Sequence, residues 1–400
     1  MAPARPKGKT MGRVRVGIAV GVATGLLLGA QPVVASPGPP TAIVSMGDSF
    51  ISGEGGRWMG NGTDPLGTRS GTDRAAFDCG GWGCEYDPHR VYGASDDNDC
   101  HRSDVAPIRS APVAVAIQVN LACSGAKLEN VRRVSSGGQS HFGEAPQADQ
   151  LARVARRDDV RMVVLTVGAN DVGFGGLVAD CALDWARSSP ADPDFCRGAA
   201  QAQLESALPA MAVGLRGALR DIRAAMAAAG HPRSDYRLVV MGYASPFPPG
   251  AQFRYPEDGW SRLTEGGCPL WNADADWARR QATPAIDAAM RAAAHRKGAE
   301  YLDLQHAFDG HQLCDRRSVR VGAAGPNPRT AEWFRRLSFS QGSTRESLHP
   351  NAYGQRAIGA CIALAYAAGP GDHACRDTPG RSYVDGIRLG RRPWSATFTP

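Results

Sequence analysis

The feature that most constrains the fold of this chain is the alternation of short apolar runs with longer segments of helical period. The segment 204–226 repeats apolar residues at steps of three and four, which is typical of an amphipathic helix. Strands that alternate with helices predict right-handed βαβ units and a parallel sheet covered on both faces. We therefore expect an α/β protein with about five parallel strands. The apolar runs are 41–47, 118–123, 161–167, 236–241 and 300–304.

The first apolar run begins at Thr41, passes into Gly47-Asp48-Ser49 and continues into the glycine-rich residues 53–56. Open α/β sheets bind ligands at the carboxyl ends of their strands, so a nucleophile at Ser49 would meet its substrate there. A serine that follows a strand is also a common helix N-cap. This stretch alone leaves both interpretations of Ser49 open.

The N-terminal residues 1–35 have the three parts of a secretory signal. They comprise a basic region with five Lys and Arg residues, the apolar run 16–30 and the small-residue end Val33-Val34-Ala35. The apolar run is shorter than the roughly 20 residues that a membrane span needs, and no later stretch approaches that length. We therefore predict an exported, extracellular protein without a transmembrane segment.

Residues 36–400 show no repeat and no linker that divides them, so we expect one domain and a monomer. The extra length is predicted to lie in long loops and in an irregular polar tail after Cys375. Loops of this length are usually functional or held by covalent links. We expect them to form the walls of a binding pocket. The loops are 53–104, 174–196, 245–267 and 306–345.

The charge of the chain argues against a nucleic-acid partner. The formal net charge of +6 at pH 7 includes the five basic residues of the predicted signal, so the mature chain is close to neutral. Proteins that bind nucleic acids usually carry a clustered basic surface. The arginines of this chain are scattered along the sequence instead.

Ten cysteines follow the predicted signal, and an even number in an exported chain predicts disulfides. Pairing neighbours in order closes loops of modest size and gives Cys79–Cys84, Cys100–Cys123, Cys181–Cys196, Cys268–Cys314 and Cys361–Cys375. A zinc site is the less favoured alternative, because its residue types suit the metal but their spacing matches no common finger. Its candidate ligands are Cys79, Cys84, His89, Cys100 and His101.

The ends of the predicted strands supply the groups that serine-based acyl transfer requires, namely a hydroxyl, a base, a group that orients the base and oxyanion donors. Ser49 is the candidate nucleophile, and its backbone N–H is one candidate oxyanion donor. Gly125 offers an unobstructed backbone N–H, and Asn170 offers a side-chain amide. His349 is the candidate base, with Glu346 three residues before it.

Four blocks of the sequence resemble the SGNH, or GDSL-type, hydrolases in order and spacing. The resemblance implies a flavodoxin-like α/β/α sandwich that hydrolyses esters, thioesters or carbohydrate acyl groups. The secreted actinobacterial-type esterases and lipases are similar in their Cys-Ser-Gly block and paired cysteines. The four blocks are Gly47-Asp48-Ser49, Cys123-Ser124-Gly125, Gly168-Ala169-Asn170-Asp171 and Glu346-Ser347-Leu348-His349.

Two positions depart from the family pattern. Phe50 replaces the usual Leu of the first block, which affects packing. Glu346 stands where the last block commonly has Asp, and its side chain is one methylene longer. We predict that Glu346 orients His349, with a main-chain carbonyl of Glu346 or Ser347 as the alternative.

The expected function is a secreted serine esterase or lipase that acts on a small-molecule or lipid ester. A carbohydrate O-deacetylase with the same groups is one alternative. A cell-envelope binding protein that keeps the scaffold without turnover is another. The chemistry requires no metal or organic cofactor, and none is predicted, although a structural cation at the acidic residues 96–99 stays open.

Overall fold

The computed structural model describes residues 38–63, 69–81 and 83–391. The predicted signal peptide at 1–35 lies outside the described residues. So do the last nine residues of the predicted tail, 392–400.

A seven-stranded sheet forms the centre of the fold, in the order β4-β1-β5-β6-β7-β8-β9. The first six strands are parallel, and β9 runs antiparallel to β8. The order of the first five is that of flavodoxin-like sheets, which confirms the predicted α/β class. The strands are β1 Thr41–Gly47, β2 Ala76–Gly80, β3 Gly83–Tyr86, β4 Ile117–Asn120, β5 Asp159–Thr166, β6 Arg237–Met241, β7 Glu300–His306, β8 His373–Arg376 and β9 Arg388–Arg391.

Helices connect the strands, and a π-helical segment, Ala278–Ala282, joins α9 to α10. None of the helices in the described part of the chain combines the length and apolar character needed to cross a bilayer. The helices are α1 Ser49–Ser52, α2 His89–Tyr92, α3 Pro107–Ser110, α4 Leu128–Val131, α5 Gln147–Ala155, α6 Phe174–Arg187, α7 Arg197–Ala228, α8 Ser261–Thr264, α9 Asn272–Trp277, α10 Thr283–Arg296 and α11 Ala352–Ala368.

The sheet is covered on both faces because successive strand residues point to opposite sides. In β1, Val44 packs in the core shared with α5, α7 and α10, whereas Ile43 packs in the core shared with α3 and α11. In β5, Val163 packs in the first of these cores and Val164 in the second. These two cores produce the three-layer α/β/α sandwich that the resemblance implies.

Helix α6 is the main difference between the predicted and the observed elements. The sequence predicts a loop over 174–196, but α6 occupies most of it. Gly175 and Gly176 lower the helix propensity of its first turn. The buried residues Leu177, Cys181 and Trp185 recur at steps of four, and this is the signal that could have identified the helix.

Two further segments are more regular than the sequence predicts. The expected irregular tail after Cys375 instead contributes the last residue of β8 and the whole of β9, and these two strands extend the sheet beyond five strands. The expected loop 53–104 contains the antiparallel hairpin of β2 and β3. All four strands have only four or five residues, which is too short to show a clear alternation in sequence.

The structure joins all ten cysteines in five disulfides. The pairs are Cys79–Cys84, Cys100–Cys123, Cys181–Cys196, Cys268–Cys314 and Cys361–Cys375. They are the neighbouring pairs expected from the sequence. The zinc alternative is wrong because its three cysteines are bound to other cysteines and cannot act as thiolate ligands.

Candidate active site

Ser49 lies in a tight turn that requires glycine at its first position, Gly47. Gly47 has a φ of 127°, and a Cβ added there would lie 1.8 Å from the carbonyl oxygen of Thr166 on β5. Asp48 then caps α1, since its Oδ1 accepts from the N–H of Phe50 at 3.1 Å. The N-cap is therefore Asp48, and Ser49 is the first residue of the short helix.

Ser49 and His349, 300 residues apart, form a hydrogen bond of 2.7 Å between Oγ and Nε2. His349 precedes α11, whose N-cap Asn351 fixes the start of that helix. The other ring nitrogen, Nδ1, lies 3.0 Å from the carbonyl oxygen of Ser347. A carbonyl can only accept, so Nδ1 bears the proton and Nε2 is left to accept from the Ser49 hydroxyl.

Glu346 does not orient His349, which corrects the sequence prediction. Its carboxylate accepts from Tyr92 Oη at 2.7 Å, from Trp58 Nε1 at 2.9 Å and from the N–H of Ser343 at 3.1 Å. Glu346 ends a 3₁₀ turn that Ser343 caps, so its side chain folds back onto that turn. The main-chain carbonyl of Ser347 accepts from His349 Nδ1 instead, which is the alternative given in the sequence prediction.

The two remaining predicted oxyanion donors lie on neighbouring turns. Asn170 follows β5, and its Nδ2 donates to the carbonyl oxygen of Ala126 at 3.0 Å. Gly125 is the residue before Ala126 in the turn after β4, is itself exposed and has a φ of 75°. The structure therefore brings the turn that contains Gly125 next to Asn170. The side-chain amide of Asn170 has two N–H groups, and the bond to Ala126 uses only one of them.

Ser49, Asn170 and His349 line a common cavity of about 570 Å³. One wall is α6, which the sequence analysis missed, and the opposite wall includes residues 337–348. The described charged side chains that line it are Asp48 and Arg345. Most of the lining is apolar, with Phe174, Val178, Leu183, Leu263, Leu337 and Phe339 as its larger side chains.

The family model of the GDSL-like lipases and acylhydrolases matches residues 45–357, which is most of the chain. The chain belongs to this family. The match contains all four sequence blocks as well as the Ser49–His349 pair. A comparison with curated protein sequences finds no match.

Solved structures similar to this GDSL-family chain include bacterial lipases and an acetylesterase. An extracellular lipase from Streptomyces rimosus has 19% identity and a TM-score of 0.45, over 81% of this chain and 98% of that one. A phospholipase A1 from Streptomyces albidoflavus has 20% identity and a TM-score of 0.47, over 82% and 98%. A carbohydrate acetylesterase from Sinorhizobium meliloti has 13% identity and a TM-score of 0.32, over 82% and 99%.

Tyr243 joins the two turns of this GDSL-family site, and the sequence analysis missed it. Its hydroxyl donates to Asp48 Oδ2 at 2.5 Å and accepts from the N–H of Ala169 at 3.1 Å. Burial raises the pKa of Asp48 to about 7, although the bond from Tyr243 acts in the opposite direction. The sequence signal for Tyr243 is its position two residues after the end of β6, because parallel strands end at the ligand-binding edge of the sheet.

The environment of His349 keeps the imidazole neutral. Burial lowers the pKa of His349 below its ordinary value, while the charge of Glu54 and the carbonyls of Ser347 and Arg345 act in the opposite direction. A neutral imidazole at physiological pH is the form that can accept a proton from a hydroxyl.

Proposed function

We propose that this GDSL-family chain is an extracellular serine ester hydrolase that acts on esters with an apolar acyl chain. The observation that carries this proposal is the 2.7 Å bond between Ser49 Oγ and His349 Nε2 at an apolar cavity of about 570 Å³. A nucleophile and a base within hydrogen-bond reach are the minimum for covalent acyl transfer.

The first chemical step is attack of Ser49 Oγ on the ester carbonyl carbon while His349 Nε2 takes the hydroxyl proton. The C–O bond to the alcohol then breaks, and His349 returns the proton to the leaving oxygen. The carbonyl of Ser347 holds the ring in the required tautomer throughout. Water releases the acyl group in a second step, with His349 again acting as the base.

The oxyanion that forms in both steps needs donors that are already in position. We assign this role to the backbone N–H groups of Ser49 and Gly125 and to the side-chain amide of Asn170. The bond from Asn170 to Ala126 and the bond from Tyr243 to Asp48 both fix the turns that bear these donors. Little reorganisation is then required when negative charge develops on the substrate oxygen.

The cavity supports an apolar acyl chain over a sugar. Its wall at α6 presents Phe174, Val178 and Leu183, none of which can hydrogen-bond to a polyol through its side chain. Each buried methylene contributes about 0.8 kcal/mol. We therefore expect kcat/KM to rise with acyl length until the cavity is filled.

We further propose that residues 36–400 form one catalytic domain and that residues 1–35 direct its export. The five disulfides support this location, because disulfides persist mainly in oxidising compartments outside the cytosol. Sequencing the N-terminus of the secreted protein tests the cleavage position. A mature chain that begins near Ser36 is the expected result.

A fluorophosphonate reagent followed by peptide mapping tests the function, with Ser49→Ala as the control. We expect labelling of Ser49 and faster hydrolysis of nitrophenyl octanoate than of nitrophenyl acetate. Acetate release from acetylated xylan without activity on the longer esters would favour the carbohydrate O-deacetylase. Absence of labelling in the oxidised, folded protein would favour the binding protein without turnover.

A further inference from the structure

Glu54 is a fully buried carboxylate, 0% exposed, that the mechanism above does not use. It lies five residues after Ser49, just beyond α1. Both of its oxygens are 2.9 Å from His101 Nδ1, and Oε2 also accepts from the hydroxyl of Ser124 at 2.5 Å. A buried carboxylate needs such partners, and both of them come from segments distant in sequence.

Glu54 lies against the loop that carries His349. The next residue, Gly55, has a φ of 79°, and a Cβ added there would be 3.2 Å from His349 Cβ and 3.1 Å from the carbonyl oxygen of Pro350. The carbonyl of Glu54 accepts from Gln355 Nε2 at 3.1 Å, which ties this backbone to α11. The carboxylate acts on the imidazole through its charge, which acts to raise the pKa of His349, while its own hydrogen bonds are to His101 and Ser124.

Glu54 also holds the turn that bears a candidate oxyanion donor. Ser124, whose hydroxyl it accepts, is the residue before Gly125. The carbonyl of Ser124 accepts from His141 Nε2 at 2.8 Å, and its N–H donates to the carbonyl of Cys100 at 3.1 Å. The bond to Glu54 is thus one of three bonds that hold Ser124, the residue before Gly125.

We propose that Glu54 is a positioning residue of this hydrolase. It supplies the buried negative charge that supports the His349 imidazolium without touching it, and it fixes the Ser124–Gly125 turn. The inference rests on the proposed function, because it concerns the same acyl transfer at Ser49.

The physical need for this charge follows from the replacement of the usual triad acid by a carbonyl. The carbonyl of Ser347 orients His349 but brings no net charge. When His349 accepts the Ser49 proton, its positive charge forms in a buried site where charge interactions are strong. Glu54 offsets that charge, and the Coulombic effect of Glu54 on the pKa of His349 is upward.

His101 and Glu54 have opposite effects on the pKa of His349. Burial lowers the pKa of His101, but the hydrogen bond and charge of Glu54 outweigh this, so its pKa is raised above the ordinary value. The charge of His101 in turn lowers the pKa of His349. Other charged and titratable groups around this cluster include Glu346, Tyr92, Asp96, Asp99 and Arg57.

The first test compares Glu54→Gln with the wild type, using Glu300→Gln as the matched control. The amide introduced by Glu54→Gln can still accept from Ser124 but has no charge. Glu300 pairs with Arg237 at the start of β7, at the end of the strands opposite to the site. For Glu54→Gln we expect kcat to fall about 10- to 100-fold with little change in KM. The acid limb of the kcat/KM profile should move to lower pH, because removal of a negative charge lowers the pKa of His349. Glu300→Gln should leave both unchanged.

Two further variants separate charge from structure and remain informative if Glu54→Gln fails to fold. His101→Asn can still donate to Glu54 but removes a cation, so its acid limb should move to higher pH. Ser124→Ala removes the bond to the turn without changing any charge, so kcat should fall while the limb stays in place.

Unchanged acid limbs in both charge variants, or limbs that move in the same direction, would overturn the role of Glu54. Full activity of Ser124→Ala would overturn the proposal that the bond between Ser124 and Glu54 positions Gly125. These outcomes differ from failure of the proposed function. A wild-type protein that is not labelled at Ser49 and hydrolyses no ester would overturn both, whereas an active wild type with an unchanged Glu54→Gln profile overturns only this inference.

Discussion

Residues 342–349 line two cavities of opposite character, one on each side of the segment that carries His349. The front cavity, of about 570 Å³, contains Ser49 and is walled mainly by apolar side chains. The rear cavity, of about 370 Å³, is lined by charged and aromatic groups. Its members include Arg57, Arg69, Tyr92, Asp96, His101 and Glu346.

The difference shows how one loop can serve binding and electrostatics separately. In the front cavity, apolar walls exclude water and leave the Ser49–His349 bond in a site of low polarity. Behind the loop, buried charges are paired: Arg57 Nε lies 2.6 Å from Asp73, and Arg69 pairs with the same carboxylate. We therefore expect substitutions in the front cavity to alter turnover and acyl preference, and substitutions in the rear cavity to alter stability and pH dependence.

The largest effect is expected at the nucleophile in the front cavity. Ser49→Ala should lower kcat about 10⁶-fold, as removal of a serine nucleophile does in serine hydrolases that work through an acyl-enzyme. Its melting temperature should stay close to that of the wild type, because the hydroxyl makes one bond in the free protein. Esterase assays and calorimetry measure the two quantities, and residual activity above about one per cent would reject Ser49 as the nucleophile.

Asn170→Ala should produce the next largest effect. Loss of one oxyanion donor costs about 10²- to 10³-fold in kcat, with KM little changed. Steady-state kinetics on a nitrophenyl ester checks this, with Asn98→Ala as a control, since that amide bonds to Glu144 away from the cavity. An Asn170→Ala enzyme with wild-type kcat would remove this residue from the oxyanion site.

Ala182→Phe should narrow the front cavity from its α6 wall. If the ring excludes two methylenes, each worth about 0.8 kcal/mol, kcat/KM for long-chain esters falls about tenfold. Hydrolysis of the acetyl ester should be unaffected. Arg187→Phe, which places the same ring on the exposed side of α6, is the control. Equal losses for acetyl and long-chain esters would show that the acyl chain does not lie along α6.

The sequence was most informative where function depends on a local turn. Gly47, Asp48 and Ser49 lie next to one another, and the geometry of that turn follows from the residues themselves. The five central strands followed from the alternation of apolar runs and helices. The approach of His349 to Ser49 came from the family resemblance, because no local pattern reports a contact across 300 residues.

The sequence was least informative where a side chain's partner decides its role. Glu346 has the spacing of an orienting acid, yet the 3₁₀ turn directs it to Tyr92 and Trp58. Glu54 and Tyr243 belong to no periodic pattern, and their roles depend on which segments pack against them. Helix α6 was missed because two glycines and a short apolar stripe resemble a loop.

Glu346→Gln is the test of the rear cavity with the smallest expected effect on turnover. An acid that orients a catalytic histidine costs about 10⁴-fold in kcat when it becomes an amide. Glu346 bonds to Tyr92 and Trp58 instead. A glutamine side chain can still accept from Trp58 through its oxygen and donate to the hydroxyl oxygen of Tyr92 through its NH₂ group, so we expect kcat within about twofold of the wild type. A loss near 10⁴-fold would restore Glu346 as the orienting group.

The stability of the same variant should differ from the wild type in its pH dependence. Burial raises the pKa of Glu346 above its ordinary value, although the charge of Arg57 acts in the opposite direction. A group whose pKa is raised by folding stabilises the folded state below its unfolded pKa, and that stability is lost as the pH rises through the folded pKa. Glutamine mimics the protonated acid and has no proton to lose in this range. The free energy of unfolding, measured with urea at several pH values, should therefore fall more steeply above pH 4.5 in the wild type than in Glu346→Gln, and parallel curves would contradict the raised pKa.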